Sequence, residues 1–142
     1  MLKNQRTIKK AVSISGIGLH TGNDCTLTFK PAAENTGMRF KRIDIADCPE
    51  ILADIEHVVD ISRGTTIGQN GTVIHTVEHV LAAVAGLEID NILVELTNNE
   101  PPVIDGSAIP FAQILLDAEF EEQKTPKNYI VIEDTIAYHD EK

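Results

Sequence analysis

Apolar and polar residues alternate with a period of two over residues 7–14, 24–30 and 38–43. Such alternation marks half-buried strands. In the second segment Cys25, Leu27 and Phe29 fall on one face and Thr26, Thr28 and Lys30 on the other, so the opening of the chain is expected to be a small meander. Residues 65–67 and 72–74 flank Gly68-Gln69-Asn70-Gly71. Its Asn-Gly step tolerates the left-handed backbone region and predicts a hairpin.

The period becomes helical over residues 76–85, where Val77, Val80, Leu81 and Val84 share a stripe and Gly86 stands at the C-cap position. Residues 91–97 read as a buried-type strand through Ile92, Leu93, Val94 and Leu96. Beyond Pro101-Pro102, Ser107 offers an N-cap and Pro110 is tolerable in a first turn. That helix is expected to reach about Glu119, with Phe111, Ile114, Leu115 and Ala118 inward. Residues 121–128 are polar, contain Pro126 and read as a linker, after which residues 129–138 resume strand character with Ile130, Ile132 and Ile136 in phase. The expected organisation is an α+β domain over residues 1–125, then a linker and the opening strand of a truncated second domain over 126–142.

Composition narrows the class. The chain of 142 residues is long enough to bury a core. With 42% hydrophobic residues, 4% aromatics and no Trp, that core is expected to be aliphatic. Twenty-two acidic against 12 basic residues give a net charge of −10, which opposes a nucleic-acid partner. The best basic stretch, Arg39-Phe40-Lys41-Arg42, reads as the solvated face of a strand. Cys25 and Cys48 lack Cys-x-x-Cys spacing and read as reduced thiols. The N-terminal Lys3, Arg6, Lys9 and Lys10 precede no apolar leader, and no run approaches a membrane span, so a cytoplasmic location is expected.

Candidate chemistry centres on His75-Thr76-Val77-Glu78-His79. An adjacent Glu and His place a general base beside a metal ligand, the smallest unit of zinc-hydrolase chemistry. Taken literally, the five residues match the His-x-x-Glu-His of inverzincin peptidases, for which Glu119 would be the helical candidate for a third ligand. That geometry needs His75 inside the helix, whereas Thr72-Val73-Ile74 reads as a strand. The bland alternatives are dipole compensation by Glu78, a polar helix-edge role for His79, and a non-catalytic interaction domain. Ser15-Gly16-Ile17-Gly18-Leu19-His20-Thr21-Gly22 has the flexibility of a phosphate loop but neither its spacing nor a following helix.

Four motifs in order carry a more specific signal: the segment from Ser15 to Gly22; Thr76-Val77-Glu78-His79 followed by Ala82-Ala83-Val84-Ala85-Gly86; Asp90-Asn91; and Asp105-Gly106-Ser107-Ala108 with Pro110-Phe111. Together they resemble the N-terminal half of the UDP-3-O-acyl-N-acetylglucosamine deacetylases, the zinc enzymes of lipid A biosynthesis. The resemblance implies two similar α+β domains, each a sheet with two packed helices in a two-layer sandwich of the ribosomal S5 domain 2-like kind, with the site in the cleft between them. It implies Glu78 as catalytic base and His79 as a Zn2+ ligand, with the remaining ligands, a His and an Asp of a His-x-x-x-Asp helix, in the second half. The substrate implied is an acylated UDP-amino-sugar, and this chain alone is expected to be inactive. Some members are fused to a 3-hydroxyacyl carrier-protein dehydratase. Leu19 and His20 are candidate cleft residues, His20 reading equally as a loop-stabilising group; Asp105 reads equally as a turn residue or a site residue. His57 is expected on a surface strand, and His75 receives no role.

Overall fold

The computed structural model describes residues 3–140. Met1, Leu2, Glu141 and Lys142, which fall in the expected domain spans, lie outside the described residues. The fold is α+β. In chain order come β1 (Asn4–Ile8), β2 (Val12–Ile17), β3 (Asp24–Pro31), β4 (Met38–Arg42), β5 (Glu50–Leu52), a 3-10 turn (Ile55–His57), β6 (Val58–Asp60), β7 (Thr66–Gln69), β8 (Thr72–Ile74), α1 (Glu78–Gly86), β9 (Ile92–Leu96), α2 (Ile109–Asp117) and β10 (Phe120–Pro126).

The main sheet has the order β2-β3-β9-β4-β5, with β4 parallel to β9 and the other neighbours antiparallel. The expected meander is therefore corrected: β9 inserts between β3 and β4. One face is buried through Leu27, Phe29, Phe40, Ile51, Ile92, Val94 and Leu96, and it joins Val80, Val84, Phe111 and Leu115 of the two helices in one core. Phe29 and Phe111 meet edge to face, centroids 6.4 Å apart, a favoured aromatic geometry. The opposite face carries Ser13 paired with Thr28 and Ser15 with Thr26, each at 2.8 Å, and a Lys30–Glu95 ion pair.

Residues 7–14 do not form one strand. β1 ends at Ile8 and pairs with β10, whereas β2 starts at Val12 and pairs with β3. Nor are residues 121–128 a linker, because most of them form β10. Inward positions of β10 are held by polar groups: Asn91 donates to Gln5 at 2.8 Å and Gln123 at 2.7 Å, while Thr125 donates to Glu34. Residues 129–138 form no strand; Ile130, Val131, Ile132 and Ile136 are exposed. A strand needs a neighbouring edge for its backbone groups, and the described residues provide none there.

The helices form where the periodicity predicts. α1 closes without using Gly86 as its left-handed residue. Instead Glu88 takes φ 55°, its N–H reaches the Ala85 carbonyl, and the Ile89 N–H reaches Val84. That is a Schellman closure, with buried Val84 and Ile89 supplying its apolar contact. In α2 Ala108 is the N-cap in place of Ser107, although the Ser107 hydroxyl accepts from the Ile109 N–H at 3.2 Å. The β7–β8 hairpin turns through Asn70 and Gly71, both at positive φ, as the Asn-Gly step predicts. Arg42 departs from the solvated-face expectation: it is buried, paired with Asp44 at 2.6 Å, and donates to the Val73 carbonyl. Among the described residues no helix is long and apolar enough to cross a membrane, and Cys25 and Cys48 are free thiols.

Candidate functional site

The route from β8 into α1 sets the site. After Ile74, the His75 N–H donates to the Asn99 carbonyl at 2.8 Å, and Thr76 turns the chain with φ 55°. A β-branched residue in the left-handed region carries strain of about 1–3 kcal/mol, so its surroundings must hold it there. Val77, the N-cap, is pinned through its N–H to the Thr65 carbonyl. Glu78 and His79 then occupy the first turn of α1, both half-buried.

Glu78 is oriented by the loop before β7. Its Oε2 accepts the Thr65 N–H at 2.9 Å. Gly64, at φ 150°, lets the loop pass close by, since a Cβ there would lie 3.0 Å from Glu78 Oε1. The His79 imidazole has no hydrogen-bond partner among the described residues, which leaves its ring nitrogens available. His75 stands before the helix, and its Nδ1 lies 3.1 Å from Thr66 Oγ1. His75 and His79 are therefore not successive-turn partners on one helix, as an inverzincin site requires. Glu119 follows α2 at φ 57° and pairs with Lys9 at 3.0 Å.

A cleft of about 180 Å³ lies beside this turn, lined by His20, Thr21, Asp60, Arg63, His75 and Thr76 among others. His20 thus faces the cleft; Leu19 is 54% exposed and lies outside its lining. The Ser62 hydroxyl and N–H hold the Asp60 carboxyl below its ordinary range. His57 sits on the 3-10 turn, not a strand, with Nδ1 2.6 Å from Asp54. Asp105 holds a turn, accepting the Ser107 N–H and hydroxyl at 2.9 Å each.

One site residue went unread in the sequence. Glu100 is 0% exposed, yet its carboxylate accepts from Thr76 Oγ1 at 2.7 Å, the Thr21 N–H and hydroxyl at 2.8 Å each, and the His20 N–H at 3.1 Å. Burial pushes this carboxyl up, but the donors of Thr76, Thr21 and His20 outweigh it and leave the group below its ordinary value. Gly18 makes room, since a Cβ there would come within 2.5 Å of Glu100 Oε2. The only signal in the sequence is a Glu directly before Pro101-Pro102, which reads as ordinary turn polarity.

Among the described residues no group of three His, Cys, Asp or Glu is arranged to hold a metal ion. By donor chemistry, the His79 imidazole beside Glu78 is a candidate ligand for a metal ion.

The family model of the UDP-3-O-acyl N-acetylglycosamine deacetylases matches residues 5–142. The bifunctional enzyme LpxC/FabZ of Chlorobaculum tepidum is 60% identical over 139 residues, covering 98% of this chain and 30% of that protein. The UDP-3-O-acyl-N-acetylglucosamine deacetylase of Psychrobacter sp. is 47% identical over 128 residues, 90% of this chain and 43% of that protein. Its counterpart from Myxococcus xanthus is 46% identical over 137 residues, 96% of this chain and 44% of that protein. The chain spans less than half the length of each of these relatives.

Proposed function

This chain belongs to the UDP-3-O-acyl N-acetylglycosamine deacetylase family, and from that premise we propose that it forms the first half of a zinc-dependent deacetylase acting on an acylated UDP-amino-sugar in lipid A biosynthesis. The observation that carries the reading is the Glu78 carboxylate, fixed by the Thr65 N–H at 2.9 Å, one residue before a histidine whose ring nitrogens have no hydrogen-bond partner among the described residues. In this reading the domain ends just after Pro126, and a second domain of similar S5 domain 2-like, two-layer build closes over the cleft. The second half brings the His and Asp that complete the metal site with His79. Zinc, when bound, would polarise the acetamide carbonyl and the attacking water.

The chemistry asked of this chain is proton transfer. Glu78 takes a proton from water as the water oxygen bonds to the acetamide carbon; the C–N bond then breaks, and acetate leaves as the sugar nitrogen takes a proton. The Thr65 N–H occupies one carboxylate oxygen, and Oε1, beside Gly64, is left for the proton. His20 and His75 line the adjoining cleft, where the sugar or its acyl chain would lie. A cytoplasmic location fits a nucleotide-linked substrate.

The test is hydrolysis of UDP-3-O-acyl-N-acetylglucosamine by the complete protein and by this chain alone. The expected result is acetate release, lost on chelation, by the complete protein only. Zinc-dependent turnover by the isolated 142 residues would overturn the split-site reading.

A further inference from the structure

Glu100 lies outside the chemistry just described, yet it is where the two walls of the cleft meet. Its carboxylate gathers donors from two segments far apart in sequence: His20 and Thr21 from the turn between β2 and β3, and Thr76 from the turn that launches α1. The donors are two backbone N–H groups and two hydroxyls, and among the described residues no Lys or Arg side chain hydrogen-bonds to it. A buried carboxylate without a cation is costly. A neutral side chain would cross-link two loops at lower cost. What only an anion supplies here is acceptance from every one of these donors at once.

Beyond Glu100, the two segments are also linked at their edges by Asn99, whose carbonyl accepts the His75 N–H and whose side-chain oxygen accepts from the Asn23 amide. The first is held through Gly18, which bridges Pro102 and bonds to Asn23 and Gly22. The second is held by His75 on Asn99 and Val77 on Thr65. Among these partners Glu100 is the one that takes donors from His20, Thr21 and Thr76 together. It fixes the hydroxyl of Thr76, the strained residue whose φ of 55° sets the direction from which Glu78 and His79 emerge two and three positions later.

We propose that Glu100 is a positioning residue that couples the His20 turn to the first turn of α1, so that the aim of Glu78 and His79 depends on the cleft wall carrying His20. This deepens the deacetylase reading and rests on it for the meaning of Glu78 and His79. The coupling itself is a property of this chain and can be measured without activity.

Glu100→Gln keeps the shape but turns an amide N–H₂ toward one set of donors. In this chain, amide NMR spectra of Glu100→Gln are expected to shift both His20–Thr21 and Thr76 through His79, while β9 stays unchanged. Thr21→Val removes only the loop hydroxyl and keeps the buried carboxylate. It is expected to shift Thr76 through His79 as well, across Glu100. In the complete protein both variants are expected to lower zinc affinity and kcat by about 10–100-fold, the usual loss when a support of a metal ligand is removed, with KM less affected. Should Thr21→Val leave the resonances of Thr76 through His79 in place, Glu100 would be a loop anchor only and the proposal would fall, whether or not Glu100→Gln folds. An inactive wild-type complete protein would overturn the deacetylase reading, while the NMR shifts would still decide the coupling.

Discussion

Glu78 accepts the backbone N–H of Thr65 at 2.9 Å, which ties the first turn of α1 to the loop entering β7 across 13 positions of sequence. The bond orients one carboxylate oxygen and leaves Oε1 beside Gly64. Helix and hairpin therefore build the candidate base jointly.

Replacing Glu78 by Gln in the complete protein should preserve the fold, because the amide oxygen can still accept from Thr65. Turnover should fall by roughly 10²–10⁴-fold, the usual contribution of a positioned base, with zinc content unchanged. Steady-state kinetics alongside metal analysis would check this; near-normal turnover would move the base to another residue.

Gly64→Ala tests the close passage of the loop. An L residue at φ 150° is strained by about 1–3 kcal/mol, and the new Cβ would crowd Glu78 Oε1 at 3.0 Å. The melting temperature should drop by roughly 3–10 °C. Calorimetry reads this directly, and an unchanged melting point would mean that the loop relaxes away from α1.

His75 and His79 should differ sharply as zinc ligands. His79→Ala is expected to weaken zinc binding in a chain extended through the second half, while His75→Ala changes little, since His75 lies before the helix and faces Thr66. The 142-residue chain should bind zinc only weakly, because a tight site needs three spaced groups. Equal losses from the two substitutions would contradict the assignment.

Acid stability should report on Glu100. Its carboxyl titrates below the ordinary value of 4.5 when folded, because the donors of Thr76, Thr21 and His20 outweigh burial. The unfolded chain thus binds more protons in that range. The stabilisation is fully present above pH 4.5 and is lost as pH falls through the folded value. Urea titrations should show unfolding free energy declining on that side, less steeply in Glu100→Gln than in the wild type.

Phe111→Ala should cost about 3–5 kcal/mol, because Phe111 is buried and meets Phe29 where α2 packs on the sheet. Equilibrium denaturation would measure the loss, and a change under 1 kcal/mol would show that the core refills the space.

What the sequence revealed followed from periodicity. Val80, Val84, Phe111 and Leu115 carry a clear helical stripe, and all four are buried. Asn70-Gly71 predicts its turn because few other dipeptides tolerate two positive φ values. β10 stayed hidden because its inward side chains, Gln123 and Thr125, are polar and satisfied by Asn91 and Glu34, so no hydrophobic alternation exists to be read. Arg42 was misread because its Asp44 partner and the Val73 carbonyl neutralise it inside the fold. Glu78 and His79 stood out as a motif, whereas Glu100 acts through donors 24 and 79 positions away, a relationship that only the folded chain creates.

The β1–β10 pairing also has a consequence for synthesis on the ribosome. Asn4 bonds to Glu122 across 118 positions, so the first strand emerges with its partner still untranslated and waits on the order of ten seconds at ordinary elongation rates. In that interval Gln5, Thr7 and Ile8, all buried in the finished fold, are open to solvent and to chaperones. The nascent domain becomes complete only once residue 126 has cleared the exit tunnel, so a stall or cleavage before β10 leaves an unclasped edge.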